Sequence, residues 1–503
     1  VSLTRVVSNF VDDLEMRSLL ALLAFSLDAH ADTCAGNALV TLDDGAIVAV
    51  DWPTRSDNEL NGRVVVNRTL EVSFQQTVER DGGVTRVTTT THTLGGKPAV
   101  STQTLPAGSV YWSDAIASTL EQVVLRARSL GTHAVVPLVA ASKDVPRQAT
   151  VDAIDGNNYT IAVGPRSYDV IVDDHGCLLA ATLAAYGITY ERRDVAPDAY
   201  PLEDRYAAPA NAPYTSRDVR ISTSQGHVLA GTLTRPKAGG RAPAVIMITG
   251  ISKHERNEGN PPFTPFRDLA DVLGRAGIAV LRVDDRGVGE STGDFDKATS
   301  FDEADDVRSE LAWLRKQPGI DAKRIGLVGH SEGGFIALVV AAGDPALAAV
   351  VVLAGSGVPG EQLNTWQTIQ TVEHDPAVAP DKRAAEIGKQ LADRSDWSPR
   401  DKAFVAADPA DYARRVKTPA LIIQGGTDLH VPPRSAERLA VMMRAAGNRD
   451  VTVRIIPQLS HTLSPDITGH LQGWSWLPSR RLSNALLEDV ARWLGAELHA
   501  RGT

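Results

Sequence analysis

The chain has 503 residues, 43% of them hydrophobic and 22% charged, and a formal net charge of -10. Such a composition describes a soluble globular polypeptide long enough for more than one hydrophobic core. No basic run interrupts the acidity, so nucleic-acid binding has no electrostatic footprint, and small uncharged or modest-sized substrates suit the surface better.

The first residues read as a targeting segment. Met16 and Arg17 precede a short apolar run over 18–27, and Ala29-His30-Ala31 then has the A-x-A form of a processing site. Residues 1–31 are therefore expected to be a secretory leader translated from Met16 and cleaved near Ala31, with the mature chain starting at Asp32 in the periplasm or outside the cell. The apolar run is shorter than the about 20 residues of a stable membrane span; an amphipathic surface helix is the alternative. The two cysteines, Cys34 and Cys177, both follow the cleavage point. An oxidising compartment would let them pair, while separate burial as small apolar side chains stays open. Neither lies in a C-x-x-C or beside clustered histidines, so no metal site is expected.

Residues 32–195 form a β-rich region. The alternating runs 71–80 and 84–91, separated by Asp81-Gly82-Gly83, have the pattern of a hairpin, and further turns stand at 155–157 and 173–176. One helix is expected over 113–129 from the spacing of its leucines and valines. His92, His133 and His175 are scattered without a partner pattern and read as solvated or hydrogen-bonded. Residues 196–216 read as a linker, since 196–213 alone holds four prolines among small and polar residues.

From residue 217 the pattern changes. Runs 217–223 and 228–234 look like an opening antiparallel pair, and apolar strands at 244–249, 278–283, 325–328, 349–353 and 420–423 then alternate with helical stretches. That order predicts a mostly parallel sheet with helices on both faces, ligands binding beyond the carboxyl ends of the strands. A capping box starting at Ser300 opens one helix, whose acids Asp302, Glu303, Asp305 and Asp306 suit a helix N-terminus better than a metal. Arg286 is expected to brace loops by ion pairing.

Between strand and helix stands Gly329-His-Ser331-Glu-Gly333. Small neighbours let the chain reverse there so that the serine hydroxyl projects from a sharp turn, and the N-H of Glu332 is left at a helix N-terminus, where it can stabilise an oxyanion. A serine needs a base and a group to orient that base. Asp428 follows the strand at 420–423, and His461 follows the strand at 451–456, completing the order Ser331, Asp428, His461. His430 is the substitute base should His461 fail. Over 60 residues separate Ala354 from Pro419, and helical runs 362–373 and 380–394 within them predict a helical cap over Ser331 at about 356–415, with Trp366, Ile369, Ile387 and Leu391 as its apolar positions.

Asp284-Asp-Arg-Gly-Val-Gly-Glu-Ser291, Gly329-His-Ser-Glu-Gly-Gly334 and Gly426-Thr-Asp428 make residues 217–503 similar to the α/β-hydrolase superfamily, and within it to bacterial serine esterases related to dienelactone hydrolases and acyl-peptidases. The resemblance implies an α/β-hydrolase catalytic domain behind an antiparallel β-rich one, and an oxyanion hole. Where many relatives carry His-Gly, this chain has Thr249-Gly250-Ile251-Ser252, so the second oxyanion donor is expected to be the N-H of Ile251, with Ser252 as the fallback. The implied function is a secreted serine carboxylesterase acting on small esters through an acyl-enzyme on Ser331, with no cofactor. A serine peptidase or aminopeptidase, an acyltransferase of the same fold, and a non-catalytic binding protein are the alternatives. A β-propeller, which some such peptidases place ahead of the catalytic domain, would repeat about every 40 residues, and residues 37–195 show no such repeat.

Overall fold

The computed structural model describes residues 34, 36–56, 59–78, 83–114, 116–140, 148–237, 239–259, 261–375, 377–469 and 481–500. The expected leader lies outside them.

The N-terminal part is one 13-stranded sheet built from two meanders, antiparallel except at the short edge strand Val110–Trp112, which runs parallel to its neighbour His133–Ala140. Its first strand, Ala38–Asp43, pairs with its last, Ile188–Arg193, and joins the two runs edge to edge. Period-2 burial explains the strands. In Arg166–Val172 the side chains of Arg166, Tyr168, Val170 and Val172 point inward, while Ser167, Asp169 and Ile171 point out. The helix Thr119–Leu130 covers part of this face with Leu120, Val123, Val124 and Ala127. It begins later than its periodicity suggests because residues 113–119 close successive tight turns, Ile116 N-H to Ser113 O and Thr119 N-H to Ile116 O. Cys34 and Cys177 form a disulfide with Cα atoms 5.6 Å apart, closing the pairing that composition left open.

Residues 196–213 contain no strand or helix, yet they are strapped down. Tyr200 is buried and donates its hydroxyl to Ile47 O at 3.0 Å, and Tyr206 OH reaches Glu255 at 2.5 Å. The two parts also meet directly, through Asn67 Nδ2 to Pro262 O at 3.0 Å and Asn484 Nδ2 to Asp44 Oδ2 at 2.8 Å.

The C-terminal sheet has eight strands: β1 Tyr214–Ser222, β2 Val228–Pro236, β3 Ala242–Ile248, β4 Ala279–Val283, β5 Ile320–His330, β6 Ala349–Leu353, β7 Ala420–Gly425 and β8 Val451–Ile456. Their spatial order is β1-β2-β4-β3-β5-β6-β7-β8, antiparallel at β1, β2 and β4 and parallel from β4 onward. Strands such as β6, buried at every position, are covered on both faces. One face packs on α1 (Pro265–Arg275) and the C-terminal helix Asn484–Ala500. The other packs on α2 (Ser300–Leu314), α3 (Glu332–Ala341) and Ser435–Ala445. This is the α/β-hydrolase architecture, preceded by an antiparallel β-rich sheet. The capping box on α2 starts one residue earlier than expected, since Thr299 is the N-cap and Asp302 its reciprocal partner. Ser300 is drawn instead into a buried bond with Glu332.

Between β6 and β7 the chain forms α4 (Gly360–Glu373), α5 (Arg383–Ala392), α6 (Pro399–Ala406) and the short α7 (Ala410–Ala413). No helix among the described residues is long and apolar enough to cross a membrane.

Candidate active site

Ser331 stands at the junction of β5 and α3 with φ 54° and ψ -117°, a left-handed conformation that a serine holds only when its surroundings impose it. The glycines on either side explain how. A Cβ on Gly329 would run into the carbonyl of Gly333, and one on Gly333 into the carbonyl of Ile248 at the end of β3. Close packing of these backbones leaves the serine side chain as the group that projects.

The hydroxyl meets a base. His461 Nε2 lies 3.0 Å from Ser331 Oγ, and His461 Nδ1 lies 2.9 Å from Asp428 Oδ2. Asp428 is fully buried, and the N-H groups of His430 and Val431 donate to its Oδ1, each at 2.8 Å, while Gln424 Nε2 donates to Oδ2 at 2.7 Å. These donors hold the carboxylate in one rotamer and offset the cost of burying it. His430 stacks on His461 with ring centres 4.9 Å apart; its backbone, not its ring, is what binds Asp428.

Ile251 and Glu332 flank the serine. A Cβ on Gly250 would sit 3.3 Å from Ser331 Cβ, which shows how closely the turn after β3 passes the nucleophile. Among the described residues, the N-H groups of Ile251, next to Gly250, and of Glu332, next to the serine, donate to no backbone carbonyl. Ser252, the fallback donor, sits in the same turn at φ 89°.

Two supports were invisible in the motif pattern. His330, directly before the nucleophile, holds Glu258 through Nδ1 at 2.9 Å and the carbonyl of His461 through Nε2 at 2.8 Å. Burial alone would lower its pKa, but the Glu258 carboxylate and these two bonds outweigh burial and raise it. Glu258 also accepts the N-H of Gly250, so one carboxylate ties the turn after β3 to the elbow and, through His330, to the histidine loop. The second support reaches in from the cap. Arg400 on α6 forks onto Glu303 at 2.9 and 2.8 Å and bonds Glu332 at 2.9 Å. Both the arginine and Glu332 are buried. Helix α6 is thereby clamped to Glu332, the residue that follows the serine.

The remaining acids of α2 serve the scaffold. Asp306 accepts from Arg286 at 2.7 Å, and Asp305 pairs with Arg308. Burial and the neighbouring Glu303 push the Asp285 carboxyl well above its usual range, and it accepts bonds from Thr249 Oγ1 at 2.6 Å and His254 N-H at 2.8 Å.

Known proteins resemble this part of the chain. The family model for X-Pro dipeptidyl-peptidase (S15 family) matches residues 225–461, a span ending on His461. The chain is 24% identical to esterase EstD of Thermotoga maritima over 53% of this chain and 65% of that protein. It is 28% identical to the uncharacterized peptidase YuxL of Bacillus subtilis over 56% of this chain and 39% of that one. The chain thus spans less than two thirds of the length of either. Among solved structures, the esterase PF2001 of Pyrococcus furiosus is 18% identical at a TM-score of 0.41, covering 58% of this chain and 94% of its own. Ferulic-acid-bound Est1E of Butyrivibrio proteoclasticus is 19% identical at a TM-score of 0.39, covering 56% and 99%.

Proposed function

From its α/β-hydrolase domain, we propose that this protein is a serine hydrolase that cleaves carboxylic esters of small molecules through an acyl-enzyme on Ser331. The observation that carries the reading is the unbroken line from Ser331 Oγ through His461 to buried Asp428 at the carboxyl ends of the strands. In it His461 takes the serine proton as the hydroxyl attacks the ester carbonyl, and Asp428 keeps the imidazole in the tautomer that accepts at Nε2. The N-H groups of Glu332 and Ile251 hold the oxyanion. The same imidazole then gives its proton to the departing alcohol, and a water activated by it resolves the acyl-enzyme. No step calls for a cofactor.

The S15 match and the likeness to YuxL support a peptidase as the second reading. An aminopeptidase-type enzyme should prefer X-Pro anilides to aryl esters. The continuous N-terminal sheet, with no blade-like division among the described residues, supports the esterase instead. Export to the periplasm or beyond is part of the proposal; the leader-like segment and the Cys34–Cys177 disulfide support it. A fluorophosphonate probe should label wild type and not Ser331→Ala, and aryl esters should turn over faster than X-Pro anilides. Absence of labelling would leave a non-catalytic binding protein, and faster anilide cleavage would make it a peptidase.

A further inference from the structure

A second concave site lies where the two parts of the molecule meet, away from the serine. It is a cleft of about 330 Å³ bordered by Ile47 and Arg68 of the N-terminal sheet, Tyr200 of the strap, and Arg267, Arg282 and Arg481 of the catalytic domain. Arg282 on β4 is its unusual member. Among the described residues five arginines are buried, and four have a carboxylate within ion-pair distance: Arg166 with Asp114, Arg256 with Asp284, Arg286 with Asp306 and Arg400 with Glu303. Among the described residues Arg282, 2% exposed, has none. Its Nη1 donates to Asn257 Oδ1, and its buried Nε has no hydrogen-bond partner.

A buried guanidinium without a counterion is expensive. Its neighbours add to the cost, for burial first and then Arg267 and Arg256 together lower its pKa to about 10. Nearby acids are committed elsewhere. Glu203 bonds Arg267 at 2.7 Å and lies 3.7 Å from Arg68, Asp271 accepts from Tyr214 OH at 2.5 Å and from Arg275 at 2.9 Å, and Asp268, which also lines the cleft, accepts the N-H of Leu482 and lies in the field of Arg481 and Arg267. Nη1 being taken, the Nε edge remains, the side on which a guanidinium can accept a carboxylate through two parallel bonds. Ile47, Ala270, Val272 and Leu487 supply apolar wall beside it.

We infer that this cleft binds a small organic carboxylate, its anionic group on Arg282 and Arg481 and its apolar body against the wall between the two sheets. The inference goes beyond the proposed hydrolysis and does not depend on it. Titration of the full-length protein with 4-fluorobenzoate, followed by fluorine NMR, tests it. Wild type and Ser331→Ala should both bind. Arg282→Met should raise Kd at least tenfold without lowering the thermal midpoint, since it removes an unpaired buried charge. Should that variant fail to fold, Arg481→Ala at the same cleft decides, with the same tenfold weakening expected. Binding unchanged by the arginine substitutions, or no binding by wild type, would overturn the site. Displacement of fluorobenzoate by equimolar inorganic phosphate would overturn the carboxylate as its ligand.

Discussion

The two sheets place their left-handed backbone differently. Among the described residues of the N-terminal sheet, the non-glycine residues with positive φ are Asp44, Asn67 and Arg68, all in tight turns between antiparallel neighbours, where such backbone is ordinary. Among those of the C-terminal domain they are Ser252, Glu258, Ser331, Ala354, Gln458 and Leu463, each beyond the carboxyl end of β3, β5, β6 or β8. Each such residue costs on the order of 1–3 kcal/mol. A parallel sheet buried on both faces is rigid enough to impose that cost at one edge, and there it aims a nucleophile. The antiparallel sheet uses the same conformation only to turn corners.

The sharpest way to break this comparison is to keep the strain and delete the chemistry. Ser331→Ala inherits φ 54° with no relief, so its thermal midpoint should match wild type while kcat for an aryl ester falls by about 10⁴-fold or more. Near-normal turnover would show that the strained residue is not the nucleophile. Next in size is the clamp from the cap. Arg400→Met leaves buried Glu332 and half-buried Glu303 without the cation they share. Loss of one partner from a buried ionic cluster costs about 3–5 kcal/mol. Urea denaturation should show a loss of that order, with kcat reduced as the Glu332 N-H shifts.

The N-terminal sheet should respond to different chemistry. Cys34→Ser opens a disulfide that spans 143 residues, which frees the unfolded chain more than it disturbs the folded one. A loss of about 2–5 kcal/mol is expected. It should appear in calorimetry as an earlier transition of the N-terminal sheet, with kcat unchanged in protein that remains folded. A fall in kcat would mean that the two parts do not behave separately.

A smaller effect is set by pH inside the catalytic domain. Glu310 on α2 borders a cavity of about 30 Å³, and burial, with Asp306 nearby, raises its carboxyl to about 8. Unfolding returns it to the ordinary range near 4.5, so between those values the folded state holds a proton that the unfolded state has lost. Its contribution therefore falls as pH rises through that window. Glu310→Gln should flatten the fall in melting temperature between pH 5 and 8. An unchanged slope would assign the pH dependence to another buried acid, Asp51 first, whose pKa burial raises to about 7.

Much of this was legible from local pattern. Strand β6 falls on 349–353 as its apolar run predicts, because a strand buried on both faces leaves a continuous hydrophobic run, whereas β8, on 451–456 as expected, is an edge strand in which only Val451 is buried. Asp428 and His461 could be read because each follows a strand that the sequence pattern already placed. The supports could not. Arg400 lies 68 residues from Glu332 and 97 from Glu303, and Glu258 lies 72 from His330, separations at which periodicity carries no information. Their nearest trace was composition, acids in a loop and an arginine in an insertion. The misplaced cap of α2 has a local cause: Thr299 and Ser300 are both good N-caps, and the choice was made by Glu332, which takes the Ser300 hydroxyl.

The finest distinction concerns the insertion that only the catalytic sheet carries. Helix α5 has no fully buried residue, with Ile387 and Leu391 partly covered, while Trp366 on α4 is held at both ends. Its indole N-H donates to Leu429 O at 2.8 Å, one residue past Asp428, and its ring packs with Val358, Leu363 and Val431. A side chain so placed connects the cap to the loop that carries the triad's acid. If the cap walls the acyl pocket, Trp366→Ala should open space beside Asp428 and favour longer acyl chains. The change expected is about 1 kcal/mol, or roughly fivefold in the ratio of kcat/KM for octanoyl over acetyl aryl esters. Trp366→Phe separates the two contributions, because it keeps most of the ring and loses only the bond to Leu429. A phenylalanine that restores the wild-type ratio assigns selectivity to the ring's volume. A phenylalanine that behaves as alanine assigns it to the position of the Leu429 loop. An unchanged acyl-length profile in folded Trp366→Ala would remove the cap from the account of specificity and leave the arginine clamp as its contribution to the site.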